Sequence, residues 1–185
     1  MLLAQAGSDA HGSLTGDSSG FSLVGLEVWE DAKRGIVSRK MFDKLHILLS
    51  PHSNILTCAV TAGRRHDSPI FKKMFKKIPK GTGNVTLDPA YLSKQNCHMI
   101  EEKGRMPFIR PKKNSVAKGY GSMAKMLRYC KENPDEFYDK YHQRSLVENA
   151  FSVIKERFGN VIRAKTELMR QLNLTLKCIC YNLVC

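Results

Sequence analysis

The sequence lacks the residue patterns of a zinc site, a membrane span and a secretion signal. Its six cysteines form no Cys-x-x-Cys pair and no His-x3-His is present, so we predict reduced, mostly buried thiols and no zinc site. No apolar stretch reaches membrane-spanning length. The amino terminus MLLAQAG contains an Ala-x-Ala but has neither the basic start nor the apolar run of a signal peptide. These absences argue against membrane and secreted classes and predict a cytoplasmic protein.

Acidic residues are scarce relative to basic ones. Seventeen Asp and Glu face thirty Lys and Arg, which gives a net charge of +13, while the apolar content of 42% is ordinary for a globular protein. Such an excess of positive charge favours a polyanionic partner, nucleic acid before a membrane surface. A chain of 185 residues without internal repeats is expected to form one domain over residues 13–185, preceded by a loose tail at residues 1–12.

The stretch YHQRSLVENAFSVIK, residues 141–155, has the periodicity of one helix. At about 100° per residue, Tyr141, Arg144, Glu148 and Lys155 fall within about one sixth of the helix circumference. An apolar stripe is predicted beside them, formed by Val147, Phe151, Ile154 and Phe158. Glu148 is therefore expected at the edge of a core, where a carboxylate needs a cation. A simple surface ion pair between Arg144 and Glu148 is the alternative.

The same four residues complete the pattern Tyr-x2-Arg-x3-Glu-x6-Lys, which resembles the signature of DDE transposases from bacterial and archaeal insertion sequences. Two further acidic motifs of that family are matched in part. Asp17 lies in DSSGF, and Asp88 is followed by Ala90 and Tyr91. Each has a structural alternative, because Asp17 could form an Asx-turn and Asp88-Pro89 is also a turn dipeptide.

The resemblance implies an α/β, RNase H-like fold with a mixed sheet of about five strands, the first three antiparallel, flanked by helices. Patterning along the chain agrees with it. The extended segments are the Asp17 strand, residues 44–50 and 55–63 joined by the turn PHSN, residues 85–87 and residues 106–110. Residues 33–44 read as a basic, mixed segment, and His46 on the second strand is expected to be packed or hydrogen-bonded.

Helices are predicted at 68–77, 92–103 and 121–132, followed by a long helix that opens at Pro134 and carries Glu148. Asp67 or Ser68 is the expected N-cap of the first, which ranks Asp67 below Asp88 as a catalytic carboxylate. The carboxyl-terminal segment is expected to be a docked helix, although a strand is the alternative. Its predicted packing face comprises Leu168, Leu172, Leu176, Ile179 and Leu183.

The family chemistry implied by the resemblance is two-metal phosphoryl transfer. Asp17, Asp88 and Glu148 would bind two Mg²⁺ ions, with Mn²⁺ as a substitute. Water would first cleave a DNA strand, and the freed 3′-hydroxyl would then attack target DNA. The implied partner is double-stranded DNA, as transposon ends and as target, with a homo-oligomer on the DNA as a further expectation. Lys155 would follow the DNA backbone, while Arg144 and Tyr141 would hold the helix and nearby phosphates.

Lysines outside the signature extend the predicted DNA surface. Lys72, Lys73 and Lys76 crowd one side of the helix at 68–77, and Lys112 and Lys113 lie in the basic loop PKKNSVAKGYGS. They suit a track for phosphates, although a solvated helix face is the alternative.

The sequence departs from the family at its start. Family members usually have an apolar run before the first Asp and a DNA-binding region before that, whereas here only AHGSLTG precedes Asp17. The chain therefore resembles a transposase truncated at its amino terminus. A catalytically inactive remnant that only binds DNA and an RNase H-like nuclease are the competing functions.

Overall fold

The computed structural model describes residues 12–30, 37–63 and 65–184. The predicted tail, apart from Gly12, lies outside these ranges. The strands are β1 (Leu14–Glu30), β2 (Val37–Leu49), β3 (Ile55–Ala62), β4 (Asn84–Leu87), β5 (Met106–Ile109) and β6 (Val161–Ile162). The helices are α1 (Ser68–Phe75), α2 (Lys94–Glu102), α3 (Ser122–Glu132), α4 (Pro134–Tyr141), α5 (Ser145–Phe158) and α6 (Glu167–Val184), with 3₁₀ turns at Pro89–Tyr91 and His142–Arg144.

The strands form one mixed sheet in the order β3-β2-β1-β4-β5, with β6 paired to β1. β2 lies antiparallel to both β1 and β3, as predicted for the first three strands. β4 lies parallel to β1, and β5 parallel to β4. The described sheet has six strands rather than about five, because the two-residue strand β6, too short to show a sequence period, adds to β1. An RNase H-like sheet with helices packed against it is therefore confirmed.

Alternation along β2 divides the core into two clusters. Leu45, Ile47 and Leu49 pack with buried residues of α5 and α6, whereas Leu48 packs with residues of α1 and α2. Successive side chains of a strand point to opposite faces, so one strand serves both clusters. β2 begins at Val37, seven residues before the start predicted for this strand at residue 44, so it includes much of the basic segment over residues 33–44.

The predicted long helix is interrupted. α4 ends at Tyr141, a 3₁₀ turn follows, and α5 begins at Ser145, although the segment contains no Gly or Pro after Pro134 to mark the break. The prediction of one helix over residues 141–155 was therefore wrong at its first turn. The apolar stripe is confirmed: three members are buried and Phe158 is half-buried.

The carboxyl-terminal segment is a helix, as predicted, but it packs through a different face. The buried residues of α6 are Leu174, Lys177, Cys178 and Tyr181, whereas Leu168, Leu172, Leu176 and Leu183 are exposed. Polar anchors at both ends set the rotation of the helix. Arg170 Nε donates to Asp43 Oδ2 at 2.8 Å, and the Asn182 side chain forms two hydrogen bonds with the backbone of Ile55.

Five of the six cysteines lie in the described part of the chain, and all five are free thiols. Cys97 and Cys178 are buried free thiols, and the half-buried free thiols are Cys58, Cys130 and Cys180; Cys185 lies outside the described residues. Over the described ranges, none of the helices combines the length and the apolar character that a membrane crossing needs.

Candidate active site

Asp17 lies on β1, in the middle of the sheet, opposite Ile47 of β2. The preceding residue must be small, because a Cβ on Gly16 would lie 2.9 Å from side-chain carbons of both Leu48 and Leu87. The Asp17 side chain is 14% exposed, and its Oδ1 accepts a hydrogen bond from Ser18 N–H at 2.8 Å. Burial raises the pKa of Asp17, and the hydrogen bonds from Arg144 and Ser18 N–H oppose that rise.

Asp88 follows directly after β4, and β4 pairs with β1 so that Leu87 lies beside Gly16. This pairing brings the end of β4 next to Asp17. Asp88 Oδ1 accepts a hydrogen bond from Ala90 N–H at 2.9 Å and so caps the 3₁₀ turn that follows. The other oxygen, Oδ2, faces Arg144. The turn predicted for Asp-Pro and the predicted position of Asp88 at a strand end are therefore both present.

Arg144 joins the two aspartates to Glu148. Its Nη2 lies 2.6 Å from Asp17 Oδ2 and 3.3 Å from Asp88 Oδ2. Its Nη1 lies 3.4 Å from Glu148 Oε1, one helical turn further along the chain. The Glu148 side chain is 59% exposed, so the expectation that it lies at the edge of the core was wrong. The structure nevertheless brings the three predicted carboxylates around one guanidinium group.

The carboxylate oxygens of this site are suited to binding cations. The nearest oxygens of Asp17 and Asp88 both contact Arg144 Nη2, so they lie within about 6 Å of each other. Carboxylate oxygens are the ligands that Mg²⁺ prefers, and a positive group already lies among them. With Arg144 between the carboxylates, no three His, Cys, Asp or Glu side chains in residues 12–30, 37–63 and 65–184 are close enough to hold a metal ion directly.

Ion pairs hold the Arg144 guanidinium in place, although one of its N–H groups has no hydrogen-bond partner among the described residues. Burial disfavours its charged form, but the hydrogen bond and negative charge of Asp17 outweigh that effect and raise the pKa of the guanidinium. Within the described chain no acceptor is hydrogen-bonded to the buried Nε of Arg144. A buried donor without a partner costs about 1–3 kcal/mol.

The two outer members of the signature each contact an aromatic ring. Tyr141 is buried and its ring stacks on Phe137, with 6.4 Å between ring centroids. Burial raises the pKa of the Tyr141 hydroxyl, and the positive charge of Arg144 opposes that rise. Lys155 Nζ lies 5.4 Å from the centre of the Phe21 ring. α5 carries Lys155 about 10 Å along its axis from Glu148.

The other predicted DNA-binding lysines lie on the surface. Lys73 of α1 and Lys76 directly after it are exposed. Lys72 is half-buried and donates a hydrogen bond to the side chain of Gln95. Lys112 and Lys113 are exposed in the segment after β5. Because β5 is parallel to β4, that segment leaves the sheet at the edge where Asp88 lies. The part that these lysines play in DNA binding stays a prediction.

Asp67 is the N-cap residue of α1, as predicted, but its side chain makes no capping hydrogen bond. Its Oδ1 instead accepts from Lys44 Nζ at 2.9 Å, and its Oδ2 accepts from Ser18 Oγ at 3.1 Å. Sequence reasoning missed this link because Ser18 and Lys44 belong to β1 and β2, far from Asp67 in the chain.

A buried polar network continues from Ser18 beneath the site. The Tyr91 hydroxyl, from the second acidic motif, lies 3.2 Å from His46 Nδ1, and His46 Nε2 lies 2.9 Å from Thr61 Oγ1. Burial lowers the pKa of His46 to about 4, so this imidazole is neutral at pH 7. The prediction that His46 is a packed, hydrogen-bonded residue is confirmed.

Fold and site together define an RNase H-like domain with an acidic centre at the carboxyl end of β4 and near the start of the neighbouring strand β1. The sequence model of the transposase DDE domain matches residues 16–183. The chain therefore belongs to the transposase DDE domain family, as its signature predicted.

Two comparisons place the chain among known proteins. It is 25% identical, over 179 residues, to the probable transposase for insertion sequence element ISA1214 of Archaeoglobus fulgidus. The match covers 94% of this chain and 53% of the relative, so the chain spans about half the relative's length. Its fold is similar to that of the piggyBac transposase, solved as a synaptic complex with hairpin DNA, at a TM-score of 0.53 and 12% identity. That similarity covers 92% of this chain and 45% of the piggyBac chain.

Proposed function

We propose that this chain is the catalytic domain of a DNA transposase, which cleaves a DNA strand and joins the freed end to target DNA. The observation that carries the proposal is the convergence of Asp17, Asp88 and Glu148 on the single cation of Arg144. The three acids come from a central strand, a strand end and a late helix, and nothing in their local structure requires them to meet. Three clustered carboxylates are unfavourable unless they serve to hold positive charge.

Asp17, Asp88 and Glu148 would hold a pair of Mg²⁺ ions, with Mn²⁺ as a substitute. Such ions, when bound, supply an activated attacking oxygen and stabilisation of the leaving oxygen. The chain orients two of the acids in advance: Ser18 N–H fixes one oxygen of Asp17, and Ala90 N–H fixes one oxygen of Asp88. Glu148 is open to solvent, the side from which a DNA strand would approach.

Double-stranded DNA is the proposed substrate, as transposon ends and as target. A net charge of +13 attracts phosphate backbones. The exposed lysines of α1, the segment after β5 and Lys155 would contact the backbone at points around the acidic centre. Phosphate contacts position a protein on DNA without reading its sequence, so binding is expected to weaken steeply as salt concentration rises.

Nicking of supercoiled plasmid and joining of a labelled duplex into plasmid test this proposal. We expect both with Mg²⁺ or Mn²⁺ and neither after chelation with EDTA. Salt-sensitive binding with no cleavage in either metal would instead identify a DNA-binding remnant. Cleavage without joining would identify a nuclease.

A further inference from the structure

We infer that the Arg144 guanidinium is a built-in counter-cation, which neutralises the acidic centre before metal binds and must leave it for metal to enter. This inference rests on the proposed function, since it takes the three carboxylates as the metal ligands. It assigns Arg144 a positioning role in the order of assembly: the side chain competes with divalent ions for the same oxygens.

Arg144 fills the space between two of the carboxylates that would hold a metal ion. One nitrogen, Nη2, lies between Asp17 Oδ2 and Asp88 Oδ2, at 2.6 Å and 3.3 Å. An Mg²⁺ ion needs carboxylate oxygens at about 2.0–2.1 Å. The two oxygens would have to close around such an ion from the space that Arg144 Nη2 now fills, so the guanidinium and the ion would compete for that space.

The contacts of Arg144 are strong enough to hold it there but incomplete. The bond to Asp17 is short, whereas those to Asp88 and Glu148 are longer, and the Glu148 end is open to solvent. The buried Nε has no hydrogen-bond partner among the described residues. Leaving this position therefore loses one close ion pair and relieves one unsatisfied donor.

The arriving DNA offers Arg144 another partner. A guanidinium binds phosphate through two parallel hydrogen bonds, a geometry that matches its planar fork. Arg144 is the last residue of the 3₁₀ turn between α4 and α5, beside the solvent-open side of the site. When Arg144 passes from carboxylates to phosphate, the acidic centre loses its counter-cation and gains affinity for metal. Metal binding and DNA binding would then favour each other.

Calorimetric titration of Mn²⁺ into the DNA-free protein tests the competition. We expect Arg144→Gln to bind Mn²⁺ at least tenfold more tightly than the unaltered chain. Arg144→Lys keeps a charge but cannot contact Asp17 and Glu148 through two nitrogens, so its affinity should be intermediate. Arg157→Gln is the matched control: Arg157 is exposed near the end of α5, the helix that follows Arg144, and its loss changes the net charge equally. Its Mn²⁺ affinity should stay within twofold of the unaltered chain.

Circular dichroism of each variant separates altered binding from loss of fold. Should Arg144→Gln fail to fold, the Lys variant decides the question through the same comparison. A folded Gln or Lys variant that binds Mn²⁺ no more tightly than the unaltered chain would overturn the competition and leave the proposed function intact. The absence of Mn²⁺ binding from every variant would instead overturn the proposed function.

Discussion

Replacing Glu148 with glutamine is expected to lower metal-dependent strand cleavage by about 10³-fold or more, since groups that act as one catalytic unit show losses of this size. Glutamine keeps the size of the side chain but replaces a charged carboxylate with a neutral amide, which is a poor Mg²⁺ ligand. Because the Glu148 side chain is 59% exposed, the free energy of unfolding should change by no more than about 0.5 kcal/mol.

Glu156→Gln is the matched control for this substitution. Glu156 is an exposed glutamate on the same helix, two turns beyond Glu148, so the change removes the same charge from the same element. Its plasmid-nicking rate should stay within about twofold of the unaltered chain. If the Glu148→Gln variant nicked plasmid at the unaltered rate, Glu148 would not be part of the catalytic centre.

Replacing Phe137 with alanine is expected to destabilise the fold by about 3–5 kcal/mol. Phe137 is fully buried, and its ring lies 5.1 Å from that of Phe108 on β5 and 6.4 Å from that of Tyr141. Its removal leaves a cavity between α4 and the sheet at the point where α4 leads into the turn that carries Arg144. Urea unfolding followed by circular dichroism gives the free energy directly.

Tyr120→Ala provides the comparison for Phe137→Ala. Tyr120 is 91% exposed, so removal of this aromatic ring should change the free energy of unfolding by no more than about 0.5 kcal/mol. If Phe137→Ala changed the free energy of unfolding as little as is expected of Tyr120→Ala, the packing of the Phe137 ring would not be important for stability.

The positions of Asp88 and Glu148 in the fold could be predicted because each depends on a local signal. Asp88 directly follows a short apolar run that forms a strand. Glu148 lies four residues after Arg144, a spacing that brings two side chains together on a helix. The i,i+4 contact predicted between those two is present. The contacts of Arg144 with Asp17 and Asp88 could not be predicted by spacing, because they depend on β1 pairing with β4 and on α5 packing across the sheet.

The errors share a physical cause: several patterns in the sequence were equally good, and distant contacts chose between them. α6 carries two stripes at helical spacing. Arg170 with Asp43, and Asn182 with Ile55, turn the stripe of Leu174, not the leucines at 168 and 172, toward the core. In the same way, Asp67 had the sequence position of a helix cap, and Ser18 and Lys44 from other strands gave it stronger partners.

Anomalous diffraction from crystals grown with Mn²⁺ tests most directly whether Asp17, Asp88 and Glu148 form one metal centre. We expect Mn²⁺ peaks bounded by the carboxylates of Asp17, Asp88 and Glu148, with Arg144 displaced from its present position. Crystals saturated with Mn²⁺ that show no peak among these carboxylates, and an unmoved Arg144, would contradict the proposed catalytic centre.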